Sequence, residues 1–190
     1  DQIQHSGNST SWETPYDLMT KVMVHPLTGS VFVASNGFGV LRSDDGGSSF
    51  GLVLGAAGGP MWTDFDISAN GIIVAVLSQA SAGGEVTPGV FGSNDNGATW
   101  VPLTPSSFPA THARSIVVIP PSNNDLAYVL TEVSSSELRM HRITLWSGAS
   151  QDLSAILPNF GGKVGAPNTQ GSYNLMLSVK PDDENLVVFG

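Results

Sequence analysis

The sequence predicts an all-β fold assembled from repeated four-stranded antiparallel units, and three observations carry that expectation. The chain has 22 glycines and 12 prolines in 190 residues, many β-branched residues and no long helical period, a profile of short strands broken by frequent turns. Apolar runs come in pairs, each pair joined by a turn rich in Pro, Asn or Gly. Two octapeptides share one pattern: Ser43-Asp44-Asp45-Gly46-Gly47-Ser48-Ser49-Phe50 and Ser93-Asn94-Asp95-Asn96-Gly97-Ala98-Thr99-Trp100, 50 residues apart. That period is the size of one four-stranded propeller blade and far larger than a hairpin.

Both octapeptides read Ser-x-Asp-x-Gly-x-(Ser/Thr)-aromatic, and the residue types suit a tight hairpin loop. The carboxylates of Asp45 and Asp95 can accept backbone N–H groups within the turn, and the hydroxyls of Ser43 and Ser93 can cap another. Gly47 and Gly97 supply the positive φ that a tight loop needs. Phe50 and Trp100 then tuck their rings under the hairpin, against their own blade or the next. The motif resembles the Asp box, or BNR repeat, of sialidases, xyloglucanase-type glycoside hydrolases, sortilin-type receptors and related exported bacterial propellers. The resemblance implies a β-propeller of four-stranded antiparallel blades, with the Asp boxes on the rim away from the ligand face, so it speaks to fold more than to function.

Taken in order, residues 1–15 are polar and read as an N-terminal arm or a closing strand, and residues 16–190 as a partial propeller. Blade one covers about 16–54, with strands near 18–25, 31–35, 39–42 and 50–54 and a turn at Pro26-Leu27-Thr28-Gly29. Blade two covers about 61–104, with strands near 64–68, 72–78, 90–92 and 100–103 and a flexible insert over 79–88. Blade three covers about 113–157, with strands near 115–119, 126–131 and 138–145. Where its octapeptide would stand, the chain reads Trp146-Ser147-Gly148-Ala149-Ser150-Gln151, without the Asp or the terminal aromatic. Residues 172–190 open a fourth, incomplete blade, with strands near 174–180 and 186–189 around a turn at Pro181–Asn185. About three and a half blades do not close the usual ring, and open sheet edges invite aggregation. The expectation is therefore a fragment, with the remainder of the propeller supplied by the same or another chain.

Composition narrows the function classes. The formal net charge is −9, from seven Lys+Arg against sixteen Asp+Glu, and no three basic residues stand together. That disfavours a nucleic-acid backbone or an anionic membrane surface as partner. Zero cysteines exclude a disulfide scaffold and thiolate chemistry, and count against a sortilin-type receptor. No apolar run is long enough to span a bilayer. The polar, weakly charged loops suit an exported protein, secreted or periplasmic. Four histidines show no paired ligand spacing, so neither a metal nor another cofactor is expected. A nucleophile elbow and a phosphate loop are also missing.

The strands of a propeller assign candidates to its ligand face. Loops leading into the inner strands carry Tyr16-Asp17, Trp62-Thr63-Asp64, His112-Ala113-Arg114 and Tyr173-Asn174. Loops between second and third strands carry Asn36-Gly37-Phe38, 79–89 and 132–137. Aromatic rings beside carboxylates and an Arg suit a sugar, so Tyr16, Trp62, His112, Arg114 and Tyr173 are the candidate ligand-binding residues. Packing between blades is the competing role for the large aromatics. Glycoside hydrolysis needs two facing carboxylates, and Asp17 and Asp64 begin equivalent strands of adjacent blades. Capping a turn or an exposed backbone N–H is the competing role for each. A sialidase would add an arginine cluster and an Arg-Ile-Pro segment, but Ile119-Pro120 has no preceding Arg. The glycine-rich opening of the xyloglucanase group is not evident either.

The sequence thus points to an exported propeller module that binds a glycan or a protein. The alternative is a glycoside hydrolase of sialidase or xyloglucanase type whose catalytic carboxylates lie partly outside this chain.

Overall fold

The computed structural model describes residues 19–56, 59, 61–78, 87–134, 137–157 and 175–190. Those residues form three four-stranded antiparallel sheets and one two-stranded sheet, each built from consecutive strands. Blade 1 is β1 (Met19–Val24), β2 (Val31–Ser35), β3 (Gly39–Ser43) and β4 (Gly51–Gly55). Blade 2 is β5 (Thr63–Ile67), β6 (Ile73–Leu77), β7 (Gly89–Ser93) and β8 (Val101–Pro102). Blade 3 is β9 (Ser115–Val118), β10 (Leu126–Ser134), β11 (Glu137–Thr144) and β12 (Ser150–Asp152), followed by a single 3₁₀ turn, Ser154–Ile156. The fourth sheet pairs β13 (Leu177–Lys180) with β14 (Asp183–Phe189). The first strands meet one another, β1 against β5, β5 against β9 and β9 against β13. They are the inner strands around an axis, and the arrangement is that of a β-propeller.

Each pair of neighbouring sheets encloses its own core. Phe32, Ala34 and Val40 of blade 1 pack on Phe65, Ile67, Ile73 and Ala75 of blade 2. Val74, Val76 and Val90 of blade 2 pack on Val117, Ile119, Ala127, Val129 and Ile143 of blade 3. Ile116, Tyr128, Leu130, Leu138 and Met140 then meet Val179, Val187 and Phe189 of the fourth sheet. Both faces of a middle blade are therefore covered, which is why β6 is buried at all five positions instead of alternating. The same geometry covers both faces of β11. Met140 faces the fourth sheet while His141, with no exposure, faces blade 2.

The two octapeptides close the β3–β4 and β7–β8 hairpins with the same hydrogen bonds. The Ser43 hydroxyl donates to Asp45 Oδ1 at 2.7 Å and accepts Gly47 N–H at 2.9 Å, and Asp45 Oδ1 accepts Ser49 N–H at 2.9 Å. In the second loop Ser93 Oγ to Asp95 Oδ1 is 2.8 Å, Gly97 N–H to Ser93 Oγ 2.9 Å and Thr99 N–H to Asp95 Oδ1 2.9 Å. Ser49 and Thr99 each add a hydroxyl bond of 2.6 Å to the second carboxylate oxygen. Gly47 and Gly97 have φ of 92° and 74°, as the turn requires. Phe50 is buried against Val33 and Leu41, whereas Trp100 is half-buried and packs on the core between blades 1 and 2.

Bonds to the charged form hold both carboxylates ionised. The Thr99 hydroxyl and N–H, with the Ser93 hydroxyl, lower the Asp95 carboxyl from 3.8 to about 2, and Ser49 and Ser43 hold Asp45 well below the ordinary range. Because the folded value is depressed, each loop's contribution is complete above the unfolded value and is lost as pH falls through the folded one. Asp95→Ala is expected to lower the melting midpoint by about 2–4 °C at neutral pH, a modest effect because the loop is solvated. The difference from the parent chain should vanish as the pH approaches that at which Asp95 itself protonates. A difference that persists unchanged in acid would separate the loop from the carboxylate's charge.

Three local features depart from the strand expectations. β8 is only two residues long: Leu103 N–H still donates to Val90 O at 2.8 Å, but Val90 N–H is taken by the Thr104 hydroxyl at 2.9 Å in place of the strand backbone. β14 begins at Asp183, so the turn expected over Pro181–Asn185 shrinks to residues 181–182. In blade 3 a single serine replaces the missing octapeptide: Ser147 Oγ donates to Thr144 O at 2.9 Å and accepts Ala149 N–H at 3.1 Å. Trp146, at φ 63°, lays its ring against Gly92 of blade 2, where a side chain would collide with Leu103 and crowd the ring.

Candidate ligand face

A cavity of about 450 Å³ lies at the axis, lined among others by Thr20, Lys21, Asp64, Arg114 and Ser178. Register explains why two opposite charges meet there. Lys21 is paired with Ala34 and Asp64 with Val76, equivalent positions of blades 1 and 2, so the side chains project side by side. Lys21 Nζ stands 3.3 Å from Asp64 Oδ1.

Asp64 and Asp66 also cap a strand edge. One edge of β9 pairs with β10, which leaves the N–H groups of Ser115, Val117 and Ile119 on the other, facing the axis. Blade 2 accepts all three: Ser115 N–H donates to Ser78 Oγ at 2.8 Å, Val117 N–H to Asp64 Oδ2 at 2.9 Å and Ile119 N–H to Asp66 Oδ2 at 2.8 Å. Unpaired strand edges are the liability of an open sheet, and these side chains satisfy one while joining two blades. Burial pushes the Asp66 carboxyl upward, and the Ile119 N–H and Lys21 oppose it. For Asp64, the capping role weighed in the sequence is the one its oxygens occupy.

Above this ion pair, the guanidinium of Arg114 lies 5.6 Å from the centre of the Trp62 ring. Burial lowers the Arg114 pKa, and the carboxylates of Asp64 and of buried Glu132 favour its charge in return. The backbone fixes both partners. Arg114 O accepts Glu132 N–H at 2.7 Å, and Trp62 O accepts Ser78 N–H at 2.8 Å. Arg114 and Asp64 line the cavity, and the indole against the guanidinium adds an apolar surface to these hydrogen-bonding groups, a combination suited to a polar ligand.

Of the residues singled out in the sequence, Trp62 and Arg114 come together, with Asp64 beneath them. His112 does not join them: it is 2 % exposed, turned inward against Phe108 with Nδ1 3.0 Å from Pro109 O. Tyr16, Asp17 and Tyr173 lie outside the described residues. Lys21, Asp66, Ser78 and Glu132 belong to the site without having been singled out one by one. The sequence predicts Asp17 as the equivalent of Asp64, whereas the strand register gives that place to Lys21; a basic residue at the repeat position of an acidic one is the signal that could have found the pair. Among the described residues no group of three metal-binding side chains occurs, and no helix is long and apolar enough to cross a membrane.

Comparison with family models and with curated proteins finds no match. Among solved structures the fold is similar to that of a GH74 enzyme from Niastella koreensis, with a TM-score of 0.56 and 16% identity over 70% of this chain. An ancestral GH74 enzyme matches with a TM-score of 0.46 and 23% identity over 67% of this chain. The chain spans 22% and 18% of the lengths of those two chains.

Proposed function

We propose that this chain is part of an exported Asp-box propeller, secreted or periplasmic, that binds a glycan on the face where Trp62 and Arg114 meet. The observation that carries the reading is the guanidinium of Arg114, which lines the axial cavity, set against the Trp62 indole. A pyranose ring presents an apolar face to an aromatic plate and hydroxyls to charged groups, and the Trp62–Arg114 pair supports that reading. The alternative, a glycoside hydrolase, draws support from the GH74 designation of the structures with a similar fold. Binding is favoured on one point: Asp64 has one oxygen at Lys21 and the other on Val117 N–H, so it is not a free acid or base.

The test is titration of the full chain against a panel of soluble oligosaccharides, with Trp62→Ala beside it. Removing the plate is expected to weaken binding about tenfold, the equivalent of roughly 1.4 kcal/mol. Absence of binding to every glycan, or affinity unchanged in Trp62→Ala, overturns the reading. Release of new reducing ends from an oligosaccharide would move the assignment to the hydrolase.

A further inference from the structure

Residues 103–112 carry the chain from the outer strand of blade 2 to the inner strand of blade 3. Phe108 packs into the core between the two blades and stands between two imidazoles. Its ring is edge-on to His112 at 5.0 Å and tilted against His141 at 5.6 Å. Ser107 Oγ lies 3.2 Å from His141 Nε2. His112 is 2 % exposed and His141 not at all, and each keeps one buried ring nitrogen, Nε2 and Nδ1 respectively, with no hydrogen-bond partner.

Such a pair is stable only while neutral. The Pro109 carbonyl can only accept, so His112 holds its proton on Nδ1 and leaves Nε2 bare. A second proton would add an N–H with no acceptor, in a seam of valine, isoleucine and phenylalanine. The surroundings offer little to compensate. Residues 101–112 contain no charged side chain, and β7 and β9 none either. Opposite His141 stands Asp152, whose carboxylate accepts Ser154 N–H at 2.9 Å; it favours a charged imidazole and Arg139 opposes one, but burial outweighs both. Nearest to His112 in sequence is Arg114, also positive. Burial accordingly holds both imidazoles below the ordinary value of 6.5.

We propose that residues 105–112 form an acid-released latch between blades 2 and 3, clamped by Phe108 at neutral pH and freed when His112 and His141 take up protons. The segment runs directly into Arg114, so its release loosens one wall of the Trp62–Arg114 face. The latch stands whether or not that face binds a glycan. With folded values below the unfolded one, its stability is complete above about pH 6.5 and falls away as the pH drops through the folded values.

Hydrogen–deuterium exchange of the full chain, corrected for the intrinsic pH dependence of exchange, reads the latch directly. Between about pH 7.5 and about pH 5 the amides of 105–112 should lose protection about tenfold or more, while those of β6 keep theirs. Equal protection at both pH values overturns the proposal. In His112→Gln/His141→Gln the pH response should disappear, and its persistence would also overturn the latch. Where that variant does not fold, imidazole titration by NMR in the parent chain decides. Two histidines titrating at the ordinary value while the segment stays protected sink the idea; titration below it, coincident with the loss of protection, supports it.

Discussion

Phe65→Ala is expected to cost about 3–5 kcal/mol of stability, the range for removing a buried aromatic ring from a close-packed core. Phe65 has no exposed surface and sits where blade 2 meets blade 1, its ring 6.3 Å from that of Phe32. Phe32, Ala34 and Val40 come from one sheet and Ile67, Ile73 and Ala75 from the other, so neither blade can collapse into the cavity without separating from its neighbour. The loss would be read as a shift in the urea midpoint at constant slope. Ile156→Ala, at a side chain 76% exposed in the 3₁₀ turn, is the comparison and should stay within about 0.5 kcal/mol. A Phe65→Ala effect no larger than that would mean the blades do not pack on one another as described.

Gly39→Ala should cost about 3 kcal/mol or more, from one methyl group. Gly39 has φ of 116°, and a Cβ there would collide with the backbone oxygen of Leu54. Gly55 faces it across the β3–β4 pair with φ of 111° and meets the backbone oxygen of Phe38 in the same way. A side chain in the way can rotate aside, but two backbone carbonyls held in a ladder cannot. Gly46 isolates the other part of the effect. Its φ is 73° but nothing lies within 4 Å of its Cβ position, so Gly46→Ala carries only the conformational penalty, about 1–2 kcal/mol. Equal losses in the two variants would show that the close approach at Gly39 contributes nothing.

Much of the blade architecture was readable because its causes are local. Ser93, Asp95, Gly97 and Thr99 close their hairpin within seven residues, using hydroxyl, carboxylate and a positive φ that no other region need supply. The pairing of each inner strand with the strand after it follows from short turns such as 26–29, where Gly29 N–H bonds His25 O at 3.0 Å. The strand ends were less legible. β8 ends where the Thr104 hydroxyl takes Val90 N–H from the strand backbone, and β14 starts early because Asp183 pairs with Lys180 across a two-residue turn.

The candidate face was legible in part, since Trp62, Asp64 and Arg114 stand at the starts of inner strands and the repeat places those starts at one end of the axis. Their company was not. Lys21 meets Asp64, Asp66 caps Ile119 and Phe108 meets His141 only because successive sheets curve around an axis, bringing together residues about 30–55 positions apart. A polar residue on one face of a strand ordinarily means water, and by that rule His141 belongs outside. In a propeller a neighbouring blade covers that face, so the same alternation buries the imidazole. Hydrogen bonds and backbone angles within a few residues determined the blades. Packing between blades, which no single repeat contains, decided which side chains meet at the axis and which are sealed in the seams.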